Sequence, residues 1–337
     1  MRKFVFRLLA TEVLCASIAF LGGSASLYAQ QGQGANGIIR PKEMKLTLDK
    51  ELGVPAARIG QGKLHQVDVT LVEIPPGGKL APRRHLAEEM IYIVSGKGYT
   101  TMWNGKESAK KEKYEWSEGD MLSPSLNAWY QHFNASPDTP ARYLSITTAP
   151  LTDNIFKNSA FLNANDFSFD DRWNKSVHQE PKHYGNATTG ADTVRYTAGH
   201  LFPDLRNRKL GDRGAKMLGI TLDPEGDMAG NQLFEGEVRE FTDPDSTSPE
   251  HRHVWETVYF ILKGEGYATL QKEGGPERRL DWKEGDMFLV EANEYHNHRP
   301  VTLGSRFLQL KASGYFRRVG IDNWTMQNKP GTTVNLR

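Results

Sequence analysis

This sequence is short of cysteine, of net charge and of long apolar runs. Among 337 residues the only cysteine is Cys15. One cysteine near the start excludes an intramolecular disulfide framework, a thiol nucleophile in the body of the chain and cysteine-ligated zinc. Lys and Arg number 42 against 41 Asp and Glu, a formal net charge of +1. The basic excess of a nucleic-acid binder is therefore missing. No apolar stretch reaches the roughly 20 residues of a membrane span. No segment after the N-terminal stretch carries a convincing helical period beyond about three turns. What is present is 38% hydrophobic and 10% aromatic residues, enough for a core and against global disorder. The 32 Gly and 17 Pro favour a turn-rich β protein. The length suggests about two domains of roughly 150 residues.

The first residues read as a targeting segment. Arg2, Lys3 and Arg7 precede an apolar run from Val13 to Leu21, and small residues lead to Ala29. That is the order of a secretory signal peptide. Residues 1–29 are expected to be removed and the protein to be secreted or periplasmic. Glu12, beside the apolar run, fits that pattern less well. Gln30 to Gly37, QQGQGANG, reads as a flexible lead-in.

An internal repeat organises the remainder. HLAEEMIYIVSGKGYT, from His85, matches HVWETVYFILKGEGYATL, from His253, at a constant offset of 168. WSEGDM, from Trp116, matches WKEGDM, from Trp282, at an offset of 166, which His132 and His298 keep. The chain thus holds two copies of one unit. In each, an apolar β-branched and aromatic run ends at G-x-G, and E-G-D leads into a further apolar run. Short strands between turn signals indicate an all-β sandwich or barrel. The expected division is a first barrel over 30–150, an irregular linker and extension over 151–213, and a second barrel over 214–337. GGPERRL, Gly274 to Leu280, reads as a solvated hairpin loop.

The chemistry concentrates in the second copy. In His251-Arg252-His253 the two imidazoles share one strand face, because side chains alternate along a strand. His296 lies 43 residues after His253, beyond the E-G-D turn, and can face the same interior from a neighbouring strand. Three imidazoles on one face could hold one divalent ion and leave coordination positions open.

These segments resemble the two motifs of the cupin superfamily, and two copies resemble the bicupins. The likeness covers about Leu71 to Thr147 and Gln232 to Lys311. It implies two tandem double-stranded β-helix, or jelly-roll, barrels. HRH followed by Y-H-x-H is similar to the three-histidine, gentisate-type ring-cleaving dioxygenases. Carried over, the metal ligands are His251, His253 and His296. The superfamily's usual glutamate is absent, since position 257 is threonine. Glu256 should face away from His253 and is not counted as a ligand. His298 is expected to pack or support rather than ligate. In the first copy Arg83 and Tyr130 replace the outer two histidines, while His85 and Glu89 persist. That copy is expected to be a degenerate barrel holding no metal. Trp116 and Trp282 read as packing residues, and Tyr259, Phe288 and Gln309 as possible lining.

The resemblance implies one Fe(II) in the second barrel, with Mn(II), Zn(II) and Ni(II) as alternatives. It implies dioxygen-dependent attack on a small anionic organic substrate, such as an aromatic hydroxy-acid. Two other classes stay open. One is a non-redox metal-dependent lyase, isomerase or decarboxylase; the other is a non-catalytic ligand-binding bicupin. The expected partner is a small molecule, with no nucleic acid and no membrane span, and homo-oligomerisation is left open.

Overall fold

The computed structural model describes residues 37–330, apart from 107–108, 164, 177–181, 186–191, 196–199, 215–216, 223–231, 244, 247–248 and 321–325. The expected signal segment lies outside the described residues. The chain forms two barrels, each of two sheets built almost wholly from antiparallel pairs.

In the first barrel a seven-stranded sheet includes Asp68–Ile74, Ala141–Thr147 and Glu89–Ser95 as neighbours. It faces a three-stranded sheet of Glu112–Ser117, Lys97–Trp103 and Trp129–Asn134. In the second barrel Glu235–Phe241, Arg306–Lys311, Thr257–Lys263 and Met287–Val290 stand in that order in the larger sheet. The facing sheet runs Arg278–Lys283, Glu265–Gln271, Tyr295–Pro300, His251–His253 and Met326–Asn328.

Burial follows the side-chain pattern. Strands of the facing sheets alternate, as in Arg278–Lys283, where Leu280 and Trp282 are buried between exposed charges. The repeated strands Glu89–Ser95 and Thr257–Lys263 are instead buried on both faces. Ile91 and Ile93 pack inside the first barrel, and Tyr259 and Ile261 inside the second. Their other faces, Met90, Tyr92 and Val94 with Val258, Phe260 and Leu262, join one core shared by both barrels. Tyr92 and Phe260 occupy equivalent repeat positions, and their rings meet at 4.5 Å. The two copies are therefore packed back to back, each presenting the same patch to the other, as at a two-fold interface.

A reciprocal pair of buried carboxylates locks this arrangement. Glu88 accepts backbone N–H bonds from Gln232, Leu233 and Phe234 at 2.6, 2.6 and 3.0 Å. Its repeat mate Glu256 accepts from His65, Gln66 and Val67 at 2.7, 2.8 and 3.2 Å. Burial raises the pKa of both groups; Arg172 opposes this at Glu88, and the backbone donors oppose it at both. Ile39, near the start of the described residues, also crosses over, exchanging two backbone bonds of 2.8 Å with Met287.

Two expectations change in detail. Within 151–213 the chain forms short helices, Ser159–Asn163 and Asp170–Ser176 among them, and Leu201–Phe202 extends the first barrel's sheet beside Met121–Leu122. Gly274 to Leu280 is a turn only at its start. Leu280 must reach the interior, so the strand begins at Arg278, whose guanidinium donates to the buried Glu294 at 2.9 Å.

The repeated motifs have steric causes. In E-G-D, Gly119 and Gly285 take φ of 92° and 83°, and Asp120 and Asp286 accept from the backbone N–H three residues earlier. In G-x-G, a Cβ on Gly266 would lie 2.3 Å from the Arg299 carbonyl and 2.4 Å from the Trp282 ring. Gly98 meets Phe133 and Trp116 in the same way, at 2.1 and 2.4 Å. The tryptophan and the glycine of each copy thus require one another. Gly266→Ala should cost about 1–3 kcal/mol by overpacking, seen as a lower Tm. Gly275→Ala, whose nearest contact is 3.3 Å, should shift Tm far less. Equal shifts would show that the glycine–tryptophan contact is not tight.

Candidate metal centre

The second barrel brings His251, His253 and His296 together. His251 and His296 are directly opposed on antiparallel strands, and His253 follows two residues along. One ligand atom from each ring lies within 4.8 Å of the others. Ring centroids are 4.4 Å apart for His251 and His296, and 4.7 Å for His253 and His296.

The orientation of each ring is set by the backbone. Nδ1 of His251 donates to the Pro249 carbonyl at 2.6 Å, Nδ1 of His253 to Trp255 at 2.7 Å, and Nδ1 of His296 to Glu294 at 2.9 Å. A carbonyl only accepts, so each Nδ1 carries the proton and each Nε2 keeps its lone pair. Nε2 of His296 is buried with no hydrogen-bond partner. Burial, and then the neighbouring His251, push His296 down to about 3. His251 and His253 are also lowered, by burial first. Three neutral imidazoles with converging, unprotonated Nε2 atoms are the donor set that a divalent transition metal takes. The residues present therefore fit such an ion.

The residues around the trio were partly hidden from sequence reasoning. His298 lies among Tyr259, Phe288 and Phe307, with ring centroids at 4.4, 5.9 and 5.5 Å. Glu256 points away to residues 65–67, as strand alternation suggests. Thr257 is fully buried, and its hydroxyl has no partner. Not anticipated was a charged layer beside the trio. Arg239 Nε donates to Glu237 at 2.8 Å, and Lys311 Nζ lies 3.3 Å from Glu235. Gln309 donates to Glu237 as well. Arg239 and Lys311 are near enough to His251 to help depress its pKa. Trp255 stacks on His253 at 4.6 Å and 15°. The available signal was the parity of Glu235, Glu237 and Arg239, three charges on one face of a strand whose Val238 enters the core.

In the first barrel the equivalent positions form an ion pair network. Arg83 Nη2 lies 3.2 Å from Glu89 and its guanidinium is 5.1 Å from the Tyr130 ring centroid. Tyr130 donates to Glu89 at 2.5 Å, Ser145 donates too, and His85 Nε2 lies 3.2 Å away. Burial raises the Glu89 pKa, but Arg83 and these bonds outweigh it and hold the carboxyl far below its usual range. A fixed guanidinium here repels a divalent cation.

The comparisons with known proteins agree with this architecture. The Cupin domain family matches residues 70–147 and again 239–303. Each of the two barrels thus contains a cupin domain over those residues. A gentisate 1,2-dioxygenase from Haloferax sp is 22% identical over 254 residues, 67% of this chain and 65% of that protein. An acireductone dioxygenase from Drosophila pseudoobscura pseudoobscura is 32% identical over 88 residues, 26% of this chain and 44% of that protein. The bicupin thus spans less than two thirds of the length of either relative. A salicylate 1,2-dioxygenase from Pseudaminobacter salicylatoxidans superposes with a TM-score of 0.55 at 11% identity, covering 79% of this chain and 75% of that one. Vicilin from Corylus avellana superposes at 0.50 with 10% identity, covering 83% and 86%. At such identities these superpositions speak for the fold alone.

The Glu89 network yields a pH-dependent expectation. Glu89→Gln should cost about 3 kcal/mol at pH 7, because it leaves a partly buried guanidinium without its counterion. A depressed native pKa stabilises above the unfolded value of about 4.3 and is lost as pH falls toward the native one. The gap between parent and variant in urea unfolding should therefore shrink from pH 7 to pH 3.5. A constant gap would mean that Glu89 is not held ionised by Arg83.

Proposed function

We propose that this bicupin is a metal-dependent dioxygenase, with one Fe(II) held by Nε2 of His251, His253 and His296 in the second barrel. The observation that carries the reading is the convergence of three unprotonated Nε2 atoms, each ring fixed through Nδ1 by a backbone carbonyl. The gentisate and acireductone dioxygenases among its relatives support the same reaction class. When bound, the ion would supply Lewis acidity and redox chemistry toward dioxygen.

The chain's own residues bias the site toward an anion. Neutral imidazoles add no negative charge around a divalent ion, and Arg239 and Lys311 stand beside them. Their charges are shared with Glu235 and Glu237, so the site offers fixed, oriented cations rather than a strongly positive field. Trp255, stacked on His253, and the buried rings of Tyr259 and Phe288 supply apolar wall. A small aromatic hydroxy-acid of the gentisate or salicylate type fits that combination.

Protein reloaded with Fe(II) should contain about one ion per chain and consume oxygen with gentisate, salicylate or an acireductone. Bound iron without oxygen uptake would leave a non-redox metal enzyme. Alanine at His251, His253 or His296 should abolish metal retention, whereas His298→Ala should cost about 10–100-fold. Equal loss at His298 would make it a ligand.

Thr257→Glu tests the face of the strand. Its repeat mate Glu89 reaches both Arg83 and His85, which stand where His251 and His253 stand. A carboxylate at 257 should therefore join the metal, keep or tighten it, and suppress turnover by taking an open position. Unchanged turnover with bound metal would mean that position 257 does not face the ion.

A further inference from the structure

The loop between the ligand His253 and the strand Thr257–Lys263 has no sheet partner of its own. Residues 254–256 lie outside any strand, so their backbone groups need other partners. The peptide joining Trp255 and Glu256 matters most, because its carbonyl accepts the Nδ1–H of His253 at 2.7 Å. The N–H of the same peptide donates to Gln66 Oε1 at 2.9 Å. Gln66 also donates from Nε2 to the Val254 carbonyl at 2.8 Å. One amide side chain from the first half thus grips both ends of the loop that orients a histidine of the second.

Gln66 is itself seated by that loop. Its backbone N–H, with those of His65 and Val67, is bound by the Glu256 carboxylate. The two halves hold each other in both directions at this point. The equivalent place in the first barrel is built differently. His85 Nδ1 donates to Ala87 at 2.8 Å, but the following N–H, of Glu88, donates to Thr148 Oγ1 at 3.0 Å. Thr148 directly follows the barrel's own strand Ala141–Thr147. Only the histidine-rich barrel takes its peptide anchor from the other half.

We infer that Gln66 is a positioning residue for His253, so that the metal site is a joint property of both cupin halves. This rests on the three-histidine reading above. With the peptide released, the Trp255 carbonyl can turn away from Nδ1. The imidazole then loses both its fixed angle and the bond that keeps Nε2 unprotonated. Partners of this kind are worth about 10–100-fold in metal affinity when they touch the ligand directly. Gln66 acts one bond further out, so the low end of that range applies.

The test uses Co(II) as probe on the full chain, with affinity from chelator competition and geometry from the visible absorption of the bound ion. Gln66→Met keeps the side-chain volume and removes both bonds; it should weaken Co(II) about tenfold and alter the spectrum. Thr148→Val removes the matching bond in the first barrel. It should lower thermal stability by a similar amount while leaving Co(II) affinity within about twofold and the spectrum unchanged. Should Gln66→Met fail to fold, Glu256→Gln weakens the seat of Gln66 and is expected to act in the same direction. Affinity and spectrum in Gln66→Met or Glu256→Gln indistinguishable from Thr148→Val would overturn the inference. Failure of the unsubstituted protein to bind Co(II) would instead overturn the three-histidine reading.

Discussion

The structure depends on two strands that water cannot reach from either side. Glu89–Ser95 and Thr257–Lys263 each give one face to their own barrel and the other to a shared core. Apolar burial drives this packing without directionality. Direction comes from Glu88 and Glu256, placed just before the two strands, each of which needs three backbone donors from the opposite half. A buried carboxylate without such partners would be costly, so the relative placement of the barrels is tightly specified. The same lock brings Gln66 to the loop beside His253. Packing, register and the candidate metal centre are therefore linked through one contact surface.

Duplication left two interiors with one backbone plan and opposite electrostatic solutions. In the second barrel three neutral imidazoles converge and their lone pairs face a common point. In the first, Arg83 supplies a permanent cation at one of those positions, and Glu89 answers it. Buried charges need partners, and the first barrel answers its guanidinium from within the chain, through Glu89. The second leaves Nε2 of His296 buried without a partner at the point where the three rings meet, an acceptor that a metal ion would satisfy. The second copy's threonine at 257 completes the contrast. A carboxylate there would answer a cation, as Glu89 does, and the three-histidine set has none of its own.

Much of this was legible in the residues. The repeat, the turns at G-x-G and E-G-D, and the strand character of IYIV and VYFIL follow from local spacing, because steric limits on glycine and the two-residue strand period act over short distances. The same period placed His251 and His253 on one face and sent Glu256 to the other. The linker was harder to read. Its short helices are held by contacts with the first barrel: Trp173 packs against its core, and the carbonyl of the buried Leu162 accepts the Leu86 N–H. Such contacts leave little periodicity in so few residues. The start of the strand at Arg278 was missed for a similar reason. Its two arginines read as solvent-facing, yet Leu280 and a buried Glu294 across the sheet pull the chain into the ladder.

By itself the sequence determined the class of fold, its duplication and the shared face of His251 and His253, since each is written in spacing along one strand or one turn; that His296 meets them follows from the pairing of its strand with theirs. Which side chains surround those histidines was decided only by the tertiary structure. Arg239 and Lys311 come from strands that are neighbours in the sheet but far apart in the chain, and Gln66 comes from the other barrel altogether. No local period encodes such meetings; they follow from how the two sheets of a barrel close and how the two barrels pack. The tautomer of each histidine belongs to the same category. It is set by where three backbone carbonyls point after folding, which residue identity alone does not specify.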